Sequence, residues 1–128
     1  MPDYYERSAI RHLTDADHLA AKQAWNGAGY LIGYVVECAI KAFIEQARPA
    51  QGAPHKHLPQ LISACRGAVR GRNQQHVFTL LTSPSLMEGW SVDLRYAADD
   101  AIPEETFRNW RKEAQRVLAA TGIKRAIS

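Results

Sequence analysis

The chain has 128 residues, of which 46% are hydrophobic and 23% charged, and its formal net charge is +3. This composition excludes a disordered chain, and the length suits one domain with one hydrophobic core. The mild basic excess permits an anionic partner without requiring one. We expect one domain over residues 1–128, with its core at about residues 8–120 and a short basic C-terminal tail.

Helical periodicity accounts for nearly all of the chain, and no stretch shows the clean alternation of a β-strand. A first helix is predicted from Asp3, a plausible N-cap, to about Ala24. Asn26 and Gly27 tolerate backbone conformations that a helix interior does not use, so they predict the break after this helix.

The second helix, predicted from about Ala28 to Ala47, is the most informative element. It is apolar almost all round, which indicates a central, buried helix. One narrow polar sector interrupts the apolar surface; it holds Tyr30, Tyr34, Glu37 and Lys41. Glu37 and Lys41 lie one turn apart in the favourable acid-then-base order.

Three shorter helices are predicted next. The third follows residues 55–57 and buries Leu58, Leu61, Ile62, Cys65 and Val69. The fourth covers about Val77 to Leu81, and Ser83-Pro84 ends it. The fifth covers Leu86 to Asp99, with Trp90, Leu94, Ala97 and Ala98 facing inward.

The last helix has clear signals at both ends. Pro103 suits the first helical position, acidic residues follow it at the positive end of the dipole, and Gly122 suits the C-terminal cap. Its predicted apolar face is Phe107, Trp110, Ala114, Val117 and Leu118. The elements together predict an all-α, up-and-down helical bundle with short connections.

The sequence shows neither a membrane span nor a secretory signal. The longest apolar run, residues 27–42, is interrupted by two charged residues, and a span needs roughly 18–20 apolar ones. The N-terminus lacks the basic-then-apolar order of a signal peptide. Cys38 and Cys65 lie in apolar helical contexts, where free thiols act as small hydrophobes. We therefore expect a cytoplasmic protein without a membrane anchor.

The histidines and cysteines match no zinc motif. His55 and His57 flank Lys56, but two ligands are too few for a metal site. We predict no metal and no cofactor, and we expect His12 and His18 to be solvated on an exposed helix face.

Four segments carry a family resemblance when they are taken in order. They are residues 29–31 (Gly-Tyr-Leu), 37–42 (Glu-Cys-Ala-Ile-Lys-Ala), 57–61 (His-Leu-Pro-Gln-Leu) and 90–96 (Trp-Ser-Val-Asp-Leu-Arg-Tyr). At these spacings the chain resembles the HEPN superfamily. The resemblance implies an up-and-down HEPN-type bundle of four to five helices that usually forms homodimers. Members are RNA-cleaving toxins, partners of small nucleotidyltransferases, or nucleotide-binding and structural domains in defence systems.

The resemblance suggests a module that binds nucleotide or RNA, or docks onto a nucleotidyltransferase partner in a toxin–antitoxin or defence context. The binding residues would be Glu37, Lys41, His57, Arg95 and Tyr96, since arginine suits phosphate and tyrosine suits base stacking. A structural alternative pairs Arg95 with Glu37 inside the bundle. In the same alternative, His57 bonds backbone groups where the third helix begins.

Ribonuclease members carry an arginine, four to six residues, and then a histidine. Here Arg70 and His76 match that spacing, and Arg72 resembles the motif's arginine-plus-polar start. The alternative function is therefore a metal-independent toxin endoribonuclease using Arg70 or Arg72 with His76. No histidine follows Arg95, which favours a binding module over an enzyme. A purely structural dimerisation domain is the third possibility.

Overall fold

The computed structural model describes residues 4–47, 52–53, 56–58, 60–62, 75–81, 83 and 85–123. Within these ranges the chain is mostly helical and forms no β-strand, which confirms the all-α class. The α-helices are α1 (Tyr5–Ala21), α2 (Trp25–Ala47), α3 (Gln75–Leu81) and α4 (Glu104–Ala120), and a 3-10 helix covers Val92–Tyr96. The helices form a bundle in which α1 and α4 both pack against α2.

The turn between α1 and α2 lies earlier than predicted. It covers residues 22–24, where Gln23 adopts a positive φ of 60° and the backbone N–H of Ala24 donates to Leu19 O at 2.9 Å. Asn26 and Gly27 lie instead in the first turn of α2. Asn26 acts at longer range, because its side chain donates to Ala98 O at 2.6 Å and accepts from Ile102 N at 2.9 Å.

The central helix α2 is buried along most of its length, as its apolar surface predicts. Its fully enclosed side chains include Ile32, Val35, Val36 and Ile40. By length and composition α2 is also apolar enough to cross a membrane, despite Glu37 and Lys41. The most apolar 18-residue window is 67% buried inside the protein, and the core helix of a soluble protein passes the same test. This composition is therefore weak evidence for a span.

The predicted helix from Leu86 to Asp99 is wrong. Residues 85–89 form turns, and only Val92–Tyr96 is helical, with 3-10 geometry. A carboxylate from α4 stabilises the turn, since Glu113 Oε2 accepts from Met87 N at 2.7 Å while Met87 itself adopts a φ of 52°.

The inward-facing positions predicted for this segment are only partly right. Trp90 is buried, and Leu94 is half-buried. Ala97 and Ala98 are exposed, because the 3-10 helix ends at Tyr96 and the chain leaves it in an extended conformation.

The last helix agrees closely with its signals. Pro103 is the N-cap residue, one position before the predicted one, and Gly122 lies past the C-terminus with a φ of 80°. All of the predicted apolar face is buried: Phe107, Trp110, Ala114, Val117 and Leu118.

The third predicted helix lies mostly outside the described residues, as does the basic tail. Residues 60–62 are helical, Leu58 and Leu61 are buried, and Ile62 is half-buried. Cys65 and Val69 lie outside the described residues.

Cys38 belongs to the core, as the sequence predicts, and it is a free thiol with 8% of its surface exposed. Burial raises the pKa of the Cys38 thiol to about 11, and the nearby Glu37 charge acts in the same direction. At pH 8 only about one molecule in a thousand then carries the reactive thiolate, against roughly one in four at the unperturbed pKa. We expect iodoacetamide to alkylate Cys38 slowly at pH 8 and rapidly in urea, as measured by peptide mass spectrometry. Equal rates in the two conditions would contradict the buried placement.

Candidate functional site

The polar sector of α2 forms a continuous line of contacting side chains. Residues three and four apart share one helix face, which brings the four members together. The hydroxyl groups of Tyr30 and Tyr34 are hydrogen-bonded at 2.8 Å, and Lys41 Nζ donates to Glu37 Oε2 at 3.4 Å. The sequence prediction of a narrow polar sector on a buried helix is confirmed.

Glu37 is the centre of this sector. With 4% of its surface exposed, it is the one buried polar or charged residue in the part of the chain that the structure describes. Burying a carboxylate costs several kcal/mol unless it is paired and hydrogen-bonded. Two groups meet this need: the Lys41 ammonium, and the imidazole of His57, whose Nδ1 lies 2.8 Å from Glu37 Oε1.

His57 connects the buried carboxylate to solvent. Its side chain is 53% exposed although Nδ1 bonds Glu37. The expectation that its imidazole bonds backbone groups is wrong, because the ring bonds a carboxylate of α2. The backbone carbonyl of His57 takes the junction role, since it accepts from Leu61 N at 2.9 Å.

Arg95 does not pair with Glu37. It is exposed, and its guanidinium lies 5.0 Å from the centre of the Tyr96 ring. Among the described residues no ion pair joins Arg95 to Glu37, so the prediction that these two residues pair inside the bundle is wrong. Tyr96 is 78% exposed, the most of any large hydrophobic residue described. Arg95 and Tyr96 thus form a charged, aromatic surface pair.

The charge of Arg95 nevertheless reaches the polar sector. Burial raises the pKa of the Tyr34 hydroxyl, and the hydrogen bond from Tyr30 and the charge of Glu37 add to this effect. Arg95 opposes it. The surface pair and the polar sector are therefore electrostatic neighbours.

A cleft of about 430 Å³ separates the His57 segment from the 3-10 helix. We call it the His57 cleft; the residues that line it include Lys56, His57, Gln60, Ser91, Val92 and Asp93. A 3-10 helix repeats every three residues, so Arg95 lies one turn beyond Val92 and Tyr96 lies one turn beyond Asp93. The surface pair therefore lies one 3-10 turn beyond the wall of the His57 cleft.

The five predicted binding residues thus lie in one region but in two layers. Glu37 and Lys41 form the interior layer, since their side chains are only 6% and 12% exposed. His57, Arg95 and Tyr96 form the outer layer, which a ligand can contact.

His12 lies beside the polar sector of α2, and the prediction that it is solvated on an exposed helix face is wrong. It is half-buried, its ring centre lies 5.8 Å from that of Tyr34, and burial lowers the pKa of its imidazole. No described residue bonds its enclosed Nδ1. The signal was the helical spacing, because Ala9 and Ala16, three residues before and four after, are both fully buried. His18 is exposed, as predicted.

The candidate ribonuclease motif is only partly described. Arg70 and Arg72 lie outside the described residues. His76 is exposed on α3, and its Nε2 donates to the backbone carbonyl of Ala120, 3.1 Å away, at the C-terminal end of α4. Helix ends leave carbonyls without intrahelical partners, so this bond gives His76 a capping role.

A second cleft, of about 480 Å³, lies between residues 85–88 and α4. Lys112 and Arg116 line it together with Glu88 and Glu113, and Glu113 already accepts from Met87 N. Among the described residues that line this second cleft, none of the charged ones is buried. Within the described ranges, no three His, Cys, Asp or Glu side chains are grouped so as to hold a metal ion.

No protein-family model, no curated protein and no solved structure matches the chain.

Proposed function

We propose that the chain is a HEPN-like module, acting as a homodimer, that binds nucleotide or single-stranded RNA at the His57 cleft. One observation carries the proposal. The exposed Arg95–Tyr96 pair lies one 3-10 turn beyond the wall of a cleft that is lined by His57, and the buried carboxylate of Glu37 holds this half-exposed histidine.

The outer layer offers the groups that nucleic acids require. An exposed tyrosine ring is a stacking platform, and stacking contributes about 1–3 kcal/mol per base. A guanidinium matches the geometry of a phosphate and forms paired, charge-assisted hydrogen bonds with it. Tyr96 is 78% exposed, which leaves ring surface for stacking beside the Arg95 guanidinium. Lys56 provides positive charge in the wall of the cleft, and Arg95 provides it one 3-10 turn beyond the opposite wall.

The interior layer supports the outer one. Replacing a buried ion pair by apolar residues is often neutral for stability. A contribution to folding stability therefore does not by itself explain why Glu37 and Lys41 occupy the interior of the protein. In the proposed function Glu37 orients His57 toward the cleft, and Lys41 balances the carboxylate charge. This arrangement makes the histidine rigid without burying it.

Fluorescence polarisation of a labelled single-stranded oligo(A) RNA, with ATP as a competitor, tests the proposal. We expect binding that weakens as salt rises from about 50 to 200 mM, because phosphate contacts release counterions. Arg95→Ala reduces the salt slope by about one, and Tyr96→Ala weakens binding roughly tenfold.

The matched control is Arg108→Ala, which removes the same charge from an exposed arginine of α4 that pairs with Glu104. We expect it to leave the affinity nearly unchanged. Absence of binding by the wild type, or an equal loss in Arg108→Ala, would contradict the proposal.

A further inference from the structure

The bond between Glu37 and His57 determines which nitrogen of the imidazole carries the proton. Glu37 Oε2 receives the Lys41 ammonium, and Oε1 lies 2.8 Å from His57 Nδ1. A carboxylate only accepts hydrogen bonds, so Nδ1 is the protonated nitrogen and donates to Oε1. In a neutral imidazole the other nitrogen is then an acceptor. With the imidazole neutral and Nδ1 donating to Glu37, His57 Nε2 is the ring nitrogen that accepts a hydrogen bond.

No described residue bonds Nε2, and the half-exposed ring lines the His57 cleft. The opposite wall presents a second acceptor. Asp93 is exposed there; its backbone N–H donates to Ser91 Oγ at 3.3 Å, and no described residue bonds its carboxylate. The cleft thus has an acceptor on each wall.

Because His57 Nε2 and the Asp93 carboxylate both accept hydrogen bonds, the part of a nucleotide that binds between them must donate hydrogen bonds. Phosphate oxygens are themselves acceptors, so they are disfavoured between His57 and Asp93 and favoured beside the Lys56 ammonium, which lines the same cleft. Ribose hydroxyls donate, and a carboxylate that binds ribose hydroxyls is a recurring feature of nucleotide sites. A volume of about 430 Å³ falls in the usual range for small-molecule sites.

We propose that the His57 cleft binds the terminal ribose of an RNA strand or a free ribonucleotide. His57 Nε2 and Asp93 accept hydrogen bonds from its 2′- and 3′-hydroxyl groups. This inference rests on the proposed function and adds the sugar to it: the site discriminates ribonucleotides from deoxyribonucleotides, since the 2′-hydroxyl is what distinguishes the two. Glu37 is a positioning residue in this account, because it acts through the tautomer of His57.

Competition between oligonucleotides that differ by one oxygen tests the proposal. Labelled oligo(A) is displaced by unlabelled oligo(A), or by the same strand with a 2′-deoxy or a 3′-deoxy terminal nucleotide. We expect each missing hydroxyl to weaken binding by the wild type roughly tenfold. His57→Phe abolishes the discrimination at one hydroxyl, and Asp93→Asn reduces it at the other. Thermal melts establish that both variants are folded.

The control His18→Phe changes an exposed histidine of α1 and retains the full discrimination. Equal binding of all three competitors by the wild type would overturn this inference and leave the proposed function in place. Discrimination that survives His57→Phe and Asp93→Asn would overturn it as well. Failure of oligo(A) to bind at all would overturn the proposed function and this inference with it.

Discussion

A Gly33→Ala variant unfolds at a much lower urea concentration than the wild type, with a loss of about 3 kcal/mol or more in the free energy of unfolding. A Cβ atom at position 33 would lie 1.7 Å from Cε2 and 2.2 Å from Cζ2 of the Trp90 indole. Overpacking of this kind forces side chains or backbone to shift, because protein interiors hold few voids.

The Trp90 ring has no room to retreat. It is buried, its Nε1 donates to Tyr30 O at 3.2 Å, and its ring packs 6.0 Å from that of Tyr30 and 5.6 Å from that of Tyr34. A smaller side chain at position 90 relieves the clash. We therefore expect the double variant Gly33→Ala/Trp90→Leu to lose less free energy of unfolding than the two single variants lose together.

Circular dichroism during urea unfolding measures these losses. The matched control is Gly27→Ala, also in α2, where the added Cβ meets only the flexible end of Leu19 at 3.2 Å. Alanine gains helix propensity there, so we expect little change or slight stabilisation. If the unfolding midpoint of Gly33→Ala equalled that of the control, the packing of Trp90 on α2 would be wrong. The same packing positions the 3-10 helix, which begins two residues after Trp90 and forms one wall of the His57 cleft.

Glu37→Leu is expected to cost about 3 kcal/mol of stability, because removing one partner of a buried pair leaves the other charge without compensation. The Lys41 side chain is only 12% exposed, and the Glu37 carboxylate is its described hydrogen-bond partner. Adding Lys41→Met to Glu37→Leu removes the unpaired charge. Most of the lost stability should then return.

The control for this series is Glu104→Gln, which breaks another i,i+4 pair, with Arg108, whose side chains are 49% and 63% exposed. Exposed pairs contribute about 0–1 kcal/mol, so the control should unfold almost as the wild type does. A Glu37→Leu variant as stable as this control would show that Glu37 is not buried. A double variant that regains nothing would show that the unpaired Lys41 charge is not the cause of the loss.

Periodicity predicts those parts of the fold in which one helix buries one face. The buried faces of α2 and α4 follow from apolar spacing alone, and the end of α4 follows from Gly122. The segment 86–99 has helical spacing too, since Leu86, Trp90 and Leu94 are four residues apart. It forms turns followed by a short 3-10 helix instead. A carboxylate from α4 bonds the backbone N–H of Met87 in the turn, and a sequence does not show such a distant partner.

The same limit applies to the site. The polar sector of α2 is visible in the sequence because charged residues on an otherwise buried helix are conspicuous. The partner of Glu37 is not visible, since His57 and Arg95 both suit a carboxylate and only their distances decide between them. The structure brings His57 to 2.8 Å and leaves Arg95 exposed on Tyr96. A distant contact also explains why the helix break predicted at Asn26 is wrong. Asn26 lies within α2, and its side chain bonds the backbone of residues 98 and 102.

In the proposed function, nucleotide or single-stranded RNA binds in the cleft between His57 and the 3-10 helix. A nuclear magnetic resonance titration of isotope-labelled protein with oligo(A) tests it most directly. We expect the largest shifts at the amides of residues 56–58, 60–62 and 91–96, together with a shift of the His57 imidazole nitrogens. Shifts concentrated instead at Lys112 and Arg116, which line the second cleft, would contradict it.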